Sequence, residues 1–166
     1  ESRPADAPTF FFIDIQPDQI EGMTRLLRER ADTLQPTLTP LVRSRLAAVN
    51  GRPIPKEATS AEEERTAQTA DKDQRRQTWY QTREYALTFL NELPKDNVIV
   101  KGEWWTPGQT FSTPMVSLEE EAAKVLGLDI GQTLELDIQG TPLIAEVRNI
   151  RKVEWGNFST NFYMIF

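Results

Sequence analysis

The chain of 166 residues contains no His and no Cys. That removes Ser-His and Cys-His nucleophilic catalysis and His-ligated zinc. Carboxylates, Lys and Tyr remain available for proton transfer. Asp14 stands in the apolar run Thr9–Ile15 (TFFFIDI). A carboxylate buried there can act as an acid or base, but one that reaches the strand's end simply pairs or caps. Glu62, Glu63 and Glu64 are adjacent. On a helix, neighbours diverge by about 100°, so the three do not converge on one cation and read as a solvated face. No GxxxxGK[ST] loop is present to cradle phosphates. The residues give no catalytic group, no metal site and no cofactor site.

Two groupings suit binding better than catalysis. Trp104 and Trp105 are adjacent. In an extended segment their rings point to opposite faces. One ring then belongs to the core, and the other is a candidate partner surface for protein or lipid. Arg151, Lys152 and Trp155 form the second grouping. A cation can sit over the indole there, although a structural hinge explains the same residues.

The whole-chain balance narrows the partners. Net charge is -6 and the sequence pI is about 4.8. Nucleic-acid binding needs a basic face against phosphates, so it is not expected. No run reaches the ~18 apolar residues of a membrane-spanning helix, and no signal peptide is visible. The length suits one domain or two small lobes. Glu1 in place of Met, and Phe166 inside the apolar run Phe162–Phe166, suggest a segment excised from a longer protein.

Periodicity predicts the elements that position these residues. Thr9–Ile15 reads as a strand covered on both faces. Pro17 opens a helix whose apolar face is Ile20, Met23, Leu26, Leu27 and Leu34. Leu41–Val49 reads as a strand and Asn50-Gly51 as a tight turn. Pro55–Thr82 has no apolar stripe before Trp79 and Tyr80 and reads as an exposed, partly helical or disordered excursion. Tyr85, Leu87 and Phe89 alternate as a strand, and Val98–Val100 is a further short one. Ser117 with Glu120 three residues on predicts a capping box. Leu118, Ala122, Val125 and Leu126 would face the core, and Gly127 would end the helix with Leu128 folded back. Leu134, Leu136 and Ile138, then Gln139-Gly140, then Leu143, Ala145 and Val147 predict a hairpin. Arg151–Phe158 reads as a link to the final strand. The class is α+β.

Four stretches carry a resemblance: APTFFFIDIQPDQIEG, NVIVKGEWW, VSLEEEAAKVLGLDIGQTLELDIQG and RNIRKVEWGNFSTNFYMIF. Together they resemble the FtsX-like, MacB-type (type VII) ABC transporter permeases, in the large extracytoplasmic domain between membrane helices. The resemblance covers Ala7–Phe166 except Pro55–Thr82. Gln132 departs from it, standing where an acidic residue usually follows the glycine. It implies a porter-like βαβ lobe from residues 8–56 plus 156–166, a polar excursion at 57–82 and an inserted, β-rich, sabre-like lobe at 83–155. Thr9–Ile15 and Phe162–Phe166 would then share one sheet.

The resemblance also implies a non-enzymatic module facing the periplasm from the inner membrane. A separate cytoplasmic ATPase subunit would be its partner through the parent permease. Flanking membrane helices would anchor it. Its cargo would be hydrophobic or lipid-like, or it would meet a periplasmic protein. Two alternatives stand beside this: a secreted interaction domain, and a carboxylate-dependent envelope hydrolase such as a glycosidase. The latter needs two acidic groups facing each other across a cleft at about 5–9.5 Å.

Overall fold

The computed structural model describes residues 11–30, 36–55, 71–155 and 161–166. Glu62, Glu63, Glu64 and Leu34 lie outside the described residues. These residues fall into two compact units, 11–30 with 36–39 and 40–55 with 71–155 and 161–166.

In the first unit, Pro17–Gln19 forms a 3-10 turn leading into helix α1 (Ile20–Arg30). Pro17 sits at the start, as expected, where its missing N–H costs nothing. The Gln16 amide donates to Gln19 Oε1 at 3.0 Å and closes the first turn. The expected strand Thr9–Ile15 is not found in its described part, residues 11–15. Asp14 has φ 58. That left-handed conformation turns the chain instead of extending it. Asp14 is exposed, so it is not the buried carboxylate that an apolar strand would have made.

The second unit is a closed β-barrel. Its strands are β1 (Val42–Val49), β3 (Glu84–Thr88), β5 (Met115–Glu119), β6 (Thr133–Ile138), β7 (Thr141–Val153) and β8 (Met164–Ile165). They hydrogen-bond in the ring β1-β3-β8-β5-β7-β6 and back to β1. Pairs β3–β8 and β5–β7 are parallel and the other four are antiparallel. Two further strands hang outside the ring: β2 (Arg52–Pro53) on β1 and β4 (Asn97–Gly102) on β7. Closure removes the free edges that an open sheet would expose.

Each barrel strand turns one side inward with a period of two. Leu46, Tyr85, Leu87, Val116, Leu118, Leu134, Leu136, Ala145, Val147 and Met164 are buried there. Helix α3 (Glu120–Leu126) follows β5 directly and joins this core through Ala122, Ala123 and Leu126. Gly127 ends it at φ 64, with Leu128 N–H bonded to the Ala123 carbonyl at 2.8 Å, the expected Schellman-type close. Asn50-Gly51 and Gln139-Gly140 are tight turns with positive φ at both residues, also as expected.

Helix α2 (Lys72–Thr82) is the ordered end of the polar excursion. Asp71 caps it by accepting from Gln74 N–H at 2.8 Å. Tyr80 is its one buried residue, and Arg76 pairs with Glu121 of α3.

Two expectations need correction here. Ser117 is not a helix cap. The ladder to β8 pairs Ser117 and Leu118 and that to β7 carries β5 through Glu119, and Glu119 caps α3 by accepting from Ala122 N–H at 2.8 Å. Phe89 lies beyond β3 and is exposed, unlike Tyr85 and Leu87. In the sheet, β1 bonds to β3 and β6, and β8 bonds to β3 and β5.

Candidate functional site

Trp104 and Trp105 lie just beyond β4, in a segment without regular structure. The expectation that their rings diverge fails for that reason, since only a regular strand alternates its side chains. The rings pack on each other with centroids 4.0 Å apart and planes 32° apart. Each indole N–H is spent on the backbone after β3. Trp104 Nε1 donates to the Asn91 carbonyl at 3.1 Å, and Trp105 Nε1 donates to the Leu90 carbonyl at 2.7 Å. Leu90 in turn is held by the Phe166 carbonyl at 2.9 Å. Both rings are half-buried. Phe89, at 62% exposed, is the neighbour of Leu90. The two loops therefore present apolar, aromatic surface with its polar atoms already satisfied, which suits contact with apolar groups.

A buried polar network stands behind this segment. Arg151 is wholly buried on β7. Its Nε donates to Ser117 Oγ at 3.1 Å, Nη1 to Asn97 Oδ1 at 2.7 Å and Nη2 to the Phe162 carbonyl at 2.5 Å. Ser117 Oγ donates to Asn149 Oδ1 at 2.5 Å, and Asn149 Nδ2 donates to the Glu103 carbonyl at 3.1 Å. Asn97 Nδ2 donates to Asn161 Oδ1 at 3.1 Å. One guanidinium thus ties β4, β5, β7 and the approach to β8 together. Through Asn149 and Glu103 the same network reaches the residue before Trp104. Burial pushes the Arg151 guanidinium down to about 10, opposed by the Glu119 carboxylate, so it stays charged at neutral pH. Its three acceptors are neutral, and a fixed fork that reaches three acceptors positions backbone instead of doing chemistry.

Sequence reading missed this network, although its signal was present. Ala145, Val147, Asn149, Arg151 and Val153 continue one period of two, and all five are buried. Arg151 and Lys152 were expected to close a lobe as a hinge. Arg151 is instead a central member of the core, while Lys152 faces out.

A second cluster gathers around Tyr163. The Arg83 guanidinium lies 4.0 Å from the Trp79 ring centroid and 4.3 Å from that of Tyr163. Trp155 also packs on Tyr163, with ring centroids 4.6 Å apart. Trp155 is thus in ring contact with Tyr163, and a cation lies over the indole of Trp79. Arg83 Nε and Nη1 are buried without hydrogen-bond partners. The ring faces supply what attraction they receive. Tyr85 Oη donates to the Tyr80 carbonyl and anchors the end of α2. Among the described residues no group of three acidic side chains is arranged to hold a metal.

No helix among the described residues is long and apolar enough to cross a membrane. No family model matches the chain, and no solved structure matches it. Over all 166 residues the chain is 30% identical to a protein of Escherichia coli (strain K12) described as an uncharacterized ABC transporter permease, YbbP. The chain spans 18% of that protein's length. This similarity supports an ABC-permease-related domain with a role connected to transport.

Proposed function

We propose that the chain is an extracytoplasmic module of an FtsX-like, MacB-type ABC permease, facing the periplasm from the inner membrane. The observation that carries this reading is the similarity to a permease along the entire chain. In this reading a separate cytoplasmic subunit hydrolyses ATP, and membrane helices elsewhere in the permease pass the motion to this module. A porter-like lobe of residues 8–56 plus 156–166 and an inserted β-rich lobe of residues 83–155 belong to this reading.

The module itself is non-enzymatic. Its work is mechanical, and two features fit that. A closed barrel pinned by Arg151 moves as a body, because distorting it would strand several buried polar atoms at once. The surface formed by Phe89, Trp104 and Trp105 offers apolar contact for hydrophobic or lipid-like cargo or for a periplasmic partner.

The test is transport by the permease and its ATPase subunit reconstituted in lipid vesicles. Trp104→Ala should lower cargo movement per ATP hydrolysed several-fold, while Trp104→Phe, which keeps a ring on Trp105, retains most of it. A permease lacking residues 71–155 that still assembles and moves cargo normally would overturn the proposal.

A further inference from the structure

We propose that Arg83 and the rings around it form a binding site for an anionic amphiphile, a phosphate or carboxylate that carries an alkyl chain. The site stands on this cluster alone and does not depend on the transport reading. Arg83 joins α2 to β3 and is half-buried. Its guanidinium lies over three rings, 4.0 Å from the Trp79 centroid, 4.3 Å from that of Tyr163 and 5.4 Å from that of Tyr85. Ring faces attract the cation, but they offer no oxygen acceptor to its N–H groups. The chain does not offer one either. Nε and Nη1 are buried without hydrogen-bond partners. Nη2 is neither sealed nor hydrogen-bonded among the described residues.

Carboxylates on the adjoining elements are engaged elsewhere. Glu84 pairs with Arg43 at 3.4 Å, Glu121 pairs with Arg76, and Glu119 accepts from Ala122 N–H at 2.8 Å. Arg151 in the same barrel shows the usual solution for a buried guanidinium, an acceptor on each nitrogen. Arg83 has the charge and the fixed orientation without the acceptors. What it lacks is an anion with oxygen atoms, and a guanidinium held by rings is pre-organised for phosphate or carboxylate. The surface beside it sets the rest of the ligand. Trp79, under the cation, is 47% exposed, and Trp155, packed on Tyr163, is 46% exposed. An alkyl chain attached to an anion on Nη2 would cover this indole surface. A bare anion would leave the indoles wet, and an uncharged chain would leave the guanidinium unmet.

The site is tested by calorimetric titration of octyl phosphate into the 166-residue chain from about 10 µM to about 1 mM, the range expected for an ion pair and a short chain. Octyl phosphate should bind in that range. Inorganic phosphate, which lacks the chain, and octyl glucoside, which lacks the charge, should each bind at least about tenfold more weakly. Arg83→Gln should weaken octyl phosphate about tenfold, Arg83→Lys should keep part of the affinity, and circular dichroism checks the fold of each. Trp155→Ala, at an exposed ring, should weaken octyl phosphate several-fold and leave inorganic phosphate unchanged, so the site stays testable if Arg83→Gln does not fold. Absence of octyl phosphate binding overturns the proposal. So does binding that a folded Arg83→Gln or Trp155→Ala chain leaves unchanged, and so does octyl glucoside or inorganic phosphate bound as tightly as octyl phosphate.

Discussion

Ser117 shows how much depends on what a small polar residue touches. As a helix cap it would lose about 1 kcal/mol on replacement by Ala. It is instead the hydroxyl between Arg151 and Asn149. Ser117→Ala leaves buried Arg151 Nε and Asn149 Oδ1 without partners, at a cost of about 1–3 kcal/mol. Glu119→Ala is the variant that removes the cap of α3, at about 1 kcal/mol. Urea melts of the two should rank Ser117→Ala as the more damaging, and the reverse order would contradict the network. Tyrosine titration gives a second check. Burial raises the phenol of Tyr85 above its ordinary value, and burial is also the main cause at Tyr80. An unfolded tyrosine ionises near pH 10, so above about pH 10 the unfolded chain has released protons that the folded chain keeps. Stability therefore falls as pH rises there. Arg151, pushed down to about 10 in the folded chain, acts in the opposite direction over the same range and offsets part of the fall. Tyr85→Phe should flatten the alkaline loss of stability seen by thermal melts. An unchanged slope would mean that Tyr85 is not protected by the fold.

Among the elements, local signals written in turn and cap residues were legible, and signals set by long-range pairing were not. Gly127, Asn50-Gly51 and Gln139-Gly140 could be read directly because each needs a backbone conformation that few residues adopt. The helix after β5 was legible too, but its start was not. Ser117 and Glu120 satisfy the capping pattern locally, while pairing of β5 with two neighbours prolongs the strand. The Trp pair was legible as a candidate surface, but its stacking was not, because the loops that hold it come from distant parts of the chain. Thr9–Ile15 failed on a different ground, since an apolar run is compatible with a turn wherever one residue accepts a left-handed φ, as Asp14 does. Gly102 tests the packing of β4 on β7. Its φ is 77, and a Cβ there would lie 2.6 Å from the Arg148 carbonyl oxygen. Gly102→Ala should cost about 1–3 kcal/mol from conformation alone, with the clash added. A urea midpoint equal to that of the parent chain would show that β4 is free to move away from β7.

For the molecule as a whole, composition restricted function more than it specified it. The absence of His and Cys removed whole classes of chemistry, and the negative charge removed nucleic acid as an expected partner. The closed ring could not be read, because it depends on β1 meeting both β3 and β6, pairings made far along the chain. The proposed function is at its centre topological, that this chain faces the periplasm as part of a permease. It is tested most directly by thiol labelling in intact cells. The chain has no Cys, so Thr110→Cys, at an exposed loop position, adds its one thiol, in a permease whose cysteines elsewhere have been replaced by Ser. A membrane-impermeant maleimide that passes the outer membrane should label Cys at that position without lysis, at the same extent as after lysis. Labelling that appears only once the inner membrane is broken would place the domain in the cytoplasm and contradict the account.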